Sequence, residues 1–225
     1  MISPAPNNLT SNNSSSIPIL YSFRRCPYAM RARMAIIQNK IRVELREILL
    51  RDKPPEMLSL SPKGTVPILL LPEGQVIDES IDIMEWSFIQ NNPDWKTENI
   101  HSKELIDLND NQFKFHLDRY KYSSRFNNDE KFNHRDSCVK ILKEFQLHLK
   151  SKWIGGEEPN FVDMSILPFI RQFRIADTKW FDHNENIINI KLWLFNFLDW
   201  EIFNSSMQKY ELWRSGERGI EFGNN

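Results

Sequence analysis

Ile17-Pro-Ile-Leu-Tyr-Ser-Phe-Arg-Arg-Cys-Pro-Tyr-Ala-Met-Arg-Ala-Arg-Met-Ala-Ile-Ile-Gln38 is the stretch on which the fold turns. Its apolar opening, Ile17 to Phe23, has the composition of a buried strand. From Pro27 to Gln38 apolar side chains recur at helical spacing (Met30, Met34, Ile37). Pro27 suits a first helical turn, where a missing N–H costs nothing. Cys26 therefore stands where a strand hands over to a helix, at the helix's positive end. Unpaired N–H groups, the macrodipole and the neighbouring Arg24 and Arg25 favour a thiolate there, so Cys26 is a candidate nucleophile with a lowered pKa. The alternative is a small residue packed at a tight turn.

Downstream, Ile41-Arg-Val-Glu-Leu45 alternates with the period of a half-buried strand, and a short helix is expected to start at Pro54-Pro55. Pro67 to Leu71 and Gln75 to Asp78 flank the turn residues Pro72-Glu-Gly74 and form a hairpin. Ser80 opens a helix with Ile81, Met84, Phe88 and Ile89 expected on its inner face. The order is β-α-β-α-β-β-α, with the first two strands parallel and the hairpin antiparallel. This α/β unit spans residues 17–90. Residues 91–99 are polar, contain Pro93 and serve as a linker. Beyond them strand signals disappear, and residues 100–225 are expected to be an all-helical bundle, with helices over 100–122, 133–150, 160–176 and 187–198. Asn160 fits a helix cap, with Asp163 in the first turn.

The rest of the composition excludes more than it assigns. Among 225 residues, 29 Lys and Arg face 30 Asp and Glu, a net charge of −1 that argues against nucleic acid and anionic membrane surfaces as partners. No apolar run has the length of a membrane span. Two cysteines more than a hundred positions apart make no disulfide framework and point to the reducing cytoplasm. Residues 1–16, rich in Asn, Ser and Pro, are expected to be a disordered tail. Cys138 falls on an apolar stripe with Ile141, Leu142 and Phe145, as a structural thiol would. The five histidines lack metal-site spacing, so no metal is expected.

A βαβαββα domain with a cysteine at its first helix, followed by an all-helical domain, resembles the glutathione S-transferase superfamily. Phe23-Arg-Arg-Cys-Pro-Tyr28, Asp52-Lys-Pro54, Gly64-Thr-Val-Pro-Ile68 and Asp78-Glu-Ser80 look like the active-site run, lysine stretch, cis-proline loop and γ-glutamyl site of omega-like, cysteine-type members. Leu117-Asp-Arg-Tyr-Lys-Tyr122 and the run from Asp163 to Phe173 resemble bacterial members of that type. The resemblance implies a thioredoxin-like domain that holds glutathione as a co-substrate, with no permanently bound cofactor. It implies a homodimer. Cys26 would be catalytic, and Lys53, Val66, Pro67, Glu79 and Ser80 would bind glutathione. A cis Val66–Pro67 bond would present the Val66 backbone to the peptide as to an added strand. Tyr28, Phe115, Arg119 and Tyr122 are candidates to line the cleft for a second substrate, either a small electrophile or a glutathionylated thiol.

Ala29 stands where a dithiol enzyme carries its second cysteine. The chemistry implied is therefore monothiol: deglutathionylation through a Cys26–glutathione mixed disulfide, with dehydroascorbate reduction as a related activity. Two alternatives stand beside it. One is conjugation of glutathione to electrophiles with Tyr21 or Ser22 supplying a hydroxyl; the other is a non-catalytic binding or scaffold protein on the same fold.

Overall fold

The computed structural model describes residues 16–93, 99–126 and 128–224. The tail expected over residues 1–16 lies almost wholly outside them, as do residues 94–98 of the linker. Strand β1 (Ile19–Ser22) is buried throughout and leads through a turn, closed by the Cys26 N–H donating to the Phe23 carbonyl at 2.9 Å, into helix α1 (Pro27–Gln38). Strand β2 (Val43–Glu47), helix α2 (Pro55–Leu60), the hairpin β3 (Ile68–Leu70) and β4 (Val76–Ile77), and helix α3 (Ser80–Asn91) follow. β1 and β2 are parallel, with Leu20 opposite Leu45; β1 and β3 are antiparallel, with Leu20 opposite Leu69.

The inner face of α3 differs from the one expected. Ser80, Ile83, Met84 and Ser87 are buried, Ile81 and Phe88 are partly buried, and Ile89 is 42% exposed. Hydrogen bonding allows two serines inside: Ser87 donates to the Ala35 carbonyl at 2.9 Å and accepts from Asn39 at 3.3 Å. A buried hydroxyl so satisfied costs little, and the apolar pattern alone does not reveal it.

The helical half begins with α4 (Asn99–Asp107), passes through a wider π-type stretch over Leu108–Phe113 and continues as α5 (Lys114–Lys121). Helices α6 (Lys131–Leu147), α7 (Phe161–Ala176), α8 (Thr178–His183), α9 (Ile188–Asp199) and α10 (Glu201–Ser206) complete it. α7 starts with a full capping box. The Asn160 side chain accepts from the Val162 and Asp163 N–H groups, and Asp163 accepts from the Asn160 N–H at 2.9 Å. Asp163 also accepts from the Ile154 and Gly155 N–H groups and from Trp193 Nε1. The two halves share one core. Met30 and Met34 of α1 and Met84 of α3 pack with Phe113, Leu117, Ile166 and Phe169. Complete burial of such side chains stabilises by about 1.5–3 kcal/mol each, so separating the halves is costly.

The expectation of helix alone beyond residue 99 needs correction. After α10 the chain returns to the N-terminal domain and adds β5 (Ile220–Phe222) antiparallel to β2, giving the sheet order β4-β3-β1-β2-β5. On the way, the Met207 and Gln208 carbonyls accept from Arg24 and the buried Arg33, and the Trp213 N–H donates to the Glu47 carbonyl. Trp213 covers Tyr21 edge-on at 5.8 Å and lies under Arg46. Gly223, at φ +94°, ends the strand where a Cβ would stand 2.1 Å from the Ile41 carbonyl oxygen. Only glycine fits there.

Candidate functional site

Cys26 is the residue before α1, half-buried, with extended backbone. Its Sγ donates to the Val66 carbonyl at 3.7 Å. The Val66–Pro67 bond is cis, and both residues are buried. The Tyr28 and Ala29 N–H groups of the first helical turn point at the sulfur, and the charges of Lys114 and Arg31 also favour the thiolate. Burial outweighs them and pushes the Cys26 thiol above its ordinary value, contrary to the lowering expected from the helix end. The sequence showed the donors. It did not show how far the closing helical domain removes the sulfur from water.

Around this thiol the remaining N-terminal candidates fall into place unevenly. Lys53 is half-buried, with Nζ over the Gly64–Pro67 loop; a Cβ on Gly64, at φ +58°, would lie 3.5 Å from it. Ser80 is the first residue of α3 and buried, and its hydroxyl accepts from Arg31 Nη1 at 3.2 Å rather than capping its helix. Glu79 precedes the helix, exposed, and pairs with Lys63 at 2.5 Å. Lys63 also bridges to Asp78 at 3.0 Å, and the Ser61 hydroxyl donates to Asp78 at 2.6 Å. Hydrogen bonds from Ser61 and then Lys63 hold the Asp78 carboxyl below its usual range. An acidic pair thus meets a lysine ammonium at the run that resembles a γ-glutamyl site.

Arg31 was not singled out from the sequence, yet it joins this region to the helical half. It is fully buried on α1 and pairs bidentately with Asp110, at 2.9 and 2.5 Å. It also donates to the Ser165 carbonyl at 2.7 Å and lies over the Phe169 ring at 4.5 Å. Two arginines, Arg31 and Arg33, on a helix that also carries Met30, Met34 and Ile37 were the available signal.

The cleft candidates divide. Tyr28 does stand beside Cys26, edge-on to Phe169 at 4.9 Å, and its hydroxyl is pushed up to about 12 by burial, then by Asp110. Phe115 and Arg119 instead pair with each other at 3.4 Å, against His134 and Phe126 respectively, and Tyr122 lies under Lys121 and Arg125. The positions turned toward the domain boundary are one residue earlier. Lys114 faces the Tyr28 ring at 6.0 Å and is ion-paired to Asp118, and Lys121 donates to Gln172 on α7 at 2.9 Å.

The hydroxyl alternatives sit elsewhere. Tyr21 is buried, its hydroxyl accepting from Arg46 at 2.7 Å, and burial pushes its pKa up. Ser22 is fully buried at the end of β1. Cys138 is buried too, its thiol pushed up by burial and directed at the Phe113 carbonyl. Cavities of 720 and 580 Å³ open in the helical half, lined in part by Arg135 and Trp180 and by Leu149 and Trp193, away from Cys26. Among the described residues no group of three or more His, Cys, Asp or Glu side chains could hold a metal, and no helix is long and apolar enough to cross a membrane.

Residues 20–95 match the family model of the glutathione S-transferase N-terminal domain. Residues 20–95 are thus a glutathione S-transferase N-terminal domain, and the fold of the whole is that of glutathione S-transferases. A probable glutathione S-transferase, MSR-1, of Nicotiana plumbaginifolia is 24% identical over 184 residues, covering 77% of this chain and 78% of that protein. Glutathione S-transferase omega-1 of Rattus norvegicus is 37% identical over 67 residues, 30% of this chain and 28% of that one. Among solved structures, glutathione transferase Omega 3C from Trametes versicolor superposes with a TM-score of 0.74 at 17% identity, covering 88% and 92% of the two chains. A family member from Pseudomonas fluorescens pf-5, with two glutathione bound, gives 0.73 at 16% identity, covering 88% and 95%. A Tau class transferase from mango gives 0.73 at 20% identity, covering 86% and 94%, so the glutathione S-transferase likeness extends beyond the omega type.

Proposed function

We propose that this protein is a member of the glutathione S-transferase superfamily and a glutathione-dependent thioltransferase that acts through Cys26. The observation that carries the reading is the Cys26 thiol at the start of α1, 3.7 Å from the carbonyl that precedes the cis Pro67. Glutathione lying along Val66 would bring its own sulfur to the same place. In this reading Lys53 takes the glycyl carboxylate, Ser80 and the N–H groups at the start of α3 take the γ-glutamyl carboxylate, and Glu79 with Asp78 takes the ammonium. Ser80 accepts from Arg31 and keeps its own hydrogen for that carboxylate.

The Cys26 thiolate attacks the glutathione sulfur of a mixed disulfide, RS–SG. The S–S bond breaks, a Cys26–SG bond forms, and RS⁻ leaves and takes up a proton. A second glutathione, as thiolate, attacks Cys26–SG, releasing glutathione disulfide and regenerating the Cys26 thiolate. The exchange balances: one mixed disulfide and one glutathione thiol become one free RSH and one glutathione disulfide. Glutathione is a co-substrate, and dehydroascorbate reduction is a related outlet of the same thiolate. The protein acts as a cytoplasmic homodimer of omega-like type. Conjugation by a hydroxyl is less well supported, because the Tyr21 hydroxyl is held by Arg46 and Ser22 is buried.

The test is reduction of a small glutathione mixed disulfide by the purified protein. Wild type should turn it over with glutathione and form one glutathione adduct on Cys26. Cys26→Ser should bind glutathione and show background turnover. Full activity in that variant sinks the thiolate mechanism.

A further inference from the structure

The α5 wall beside Cys26 is formed by Lys114 and Asp118, where the sequence pointed to Phe115, Arg119 and Tyr122. Lys114 keeps 23% of its side chain exposed and Asp118 33%, and the pair lies one helical turn apart. The Lys114 ammonium faces the Tyr28 ring at 6.0 Å, two residues beyond Cys26, and its charge reaches the Cys26 sulfur. About two turns beyond Lys114, Lys121 donates to Gln172 at 2.9 Å, and Gln172 donates to the Arg25 carbonyl at 3.2 Å. Gln172 thereby ties α5 to the residue before Cys26 and fixes the second ammonium on the same wall.

An ammonium has three donors. Asp118 takes one from Lys114 and holds the group in place, leaving donors for a ligand. In a partly buried site a cation discriminates more strongly than it does in water, because its field is screened less. An apolar electrophile gains nothing there and would desolvate the charge. A carboxylate gains a charge-assisted hydrogen bond.

We propose that Lys114, positioned by Asp118, selects the second substrate, so that the cleft favours disulfides and thiols carrying a carboxylate over neutral ones of the same size. The proposal rests on the thioltransferase reading above and names its substrate class. Lys114 is a specificity-determining residue in it, and Cys26 remains the nucleophile.

The experiment compares two mixed disulfides of glutathione, one with 3-mercaptopropionate and one with 2-mercaptoethanol, in wild type and variants. The quantity read is the ratio of their kcat/KM values, which cancels any common effect of Lys114 on Cys26 reactivity. Lys114→Met should lower that ratio about tenfold, the size of one charge-assisted contact. Lys114→Arg should restore most of it, and Lys114→Glu should lower it further. The Arg variant also separates lost charge from lost folding. A ratio unchanged between wild type and Lys114→Met overturns the proposal while leaving the thioltransferase reading intact. A wild-type protein that reduces neither disulfide overturns both.

Discussion

Cys26 Sγ donates its hydrogen to the Val66 carbonyl oxygen, 3.7 Å away across the domain's cis-proline turn. This contact stabilises the thiol and not the thiolate, for an anion would face the carbonyl's negative end. Burial acts in the same sense, and the donors of α1 act against both. The balance holds the Cys26 thiol above its ordinary pKa.

The sign of its pH dependence follows. Alkylation of Cys26 by iodoacetamide, followed against pH, should have its midpoint above the value of about 8.5 for a free cysteine. Lys114→Met should move it higher still, by removing a favourable charge. Because the folded-state pKa is raised, the thiol's contribution to stability is complete below the unfolded value and is lost as pH rises through the folded one. A midpoint below 8.5 would contradict the balance assigned here.

Arg31 should be worth more to stability than to charge. Replacing it by Met leaves Asp110 without its bidentate partner and removes the side-chain donor to the Ser165 carbonyl. With Asp110 about a quarter exposed, the cost is expected at the low end for a broken buried pair, about 3 kcal/mol by urea unfolding. Ser80 loses its Arg31 contact as well, so glutathione binding should weaken in a variant that is still folded at low temperature. Unchanged stability would show that Arg31 is a bystander.

Lys63 occupies the acidic pair that the proposed mode gives to the γ-glutamyl ammonium. Lys63→Ala should therefore tighten glutathione binding, by up to about fivefold, as loss of an exposed competing ion pair allows. Titration calorimetry reads this directly. Weaker binding in the variant would mean that Lys63 assists the ligand and that the ammonium lies elsewhere.

Gly223→Val places a side chain where the Ile41 carbonyl stands, on a left-handed backbone. The expected result is release of β5 and a loss of roughly 2 kcal/mol or more, with Trp213 fluorescence shifting to the red as it leaves Tyr21. Thermal unfolding and emission spectra together check it, and an unshifted emission spectrum with wild-type stability would rule out β5 as an anchor.

What was legible in the sequence was local. Pro27 after Cys26 marked the helix start to the residue, because its ring and missing N–H fit few other places. Asn160 with Asp163 marked the cap of α7 for the same kind of reason. The order of strands and helices through α3 followed from period and turn chemistry. β5 did not, since Ile220-Glu-Phe222 is too short to show alternation and its partner β2 lies far away in sequence. The serines inside α3 were hidden because their partners, Ala35 and Arg31, sit on another helix. In the site, Cys26 stood out by chemistry, and the Val66–Pro67 turn by its resemblance to a cis-proline loop. The wall of the cleft did not, because Phe115, Arg119 and Tyr122 were candidates from one long expected helix, whose facing side the sequence does not orient and whose course includes the π-type stretch Leu108–Phe113. Its run of Asn and Asp residues, which compete with helical hydrogen bonding, was the one available warning.

The fifth strand has a consequence for the order of synthesis. Gly219, at its start, contacts Glu44 from 175 positions away. A ribosome makes β2 long before β5 exists, so one row of β2 backbone groups stays unpaired while the whole helical half is being made. An open strand edge is a template for any other extended chain, including a second nascent copy. The N-terminal domain is thus unlikely material for excision. Cut out alone, it would carry that sticky edge permanently, and in the intact chain the edge is guarded only once the last strand has come home.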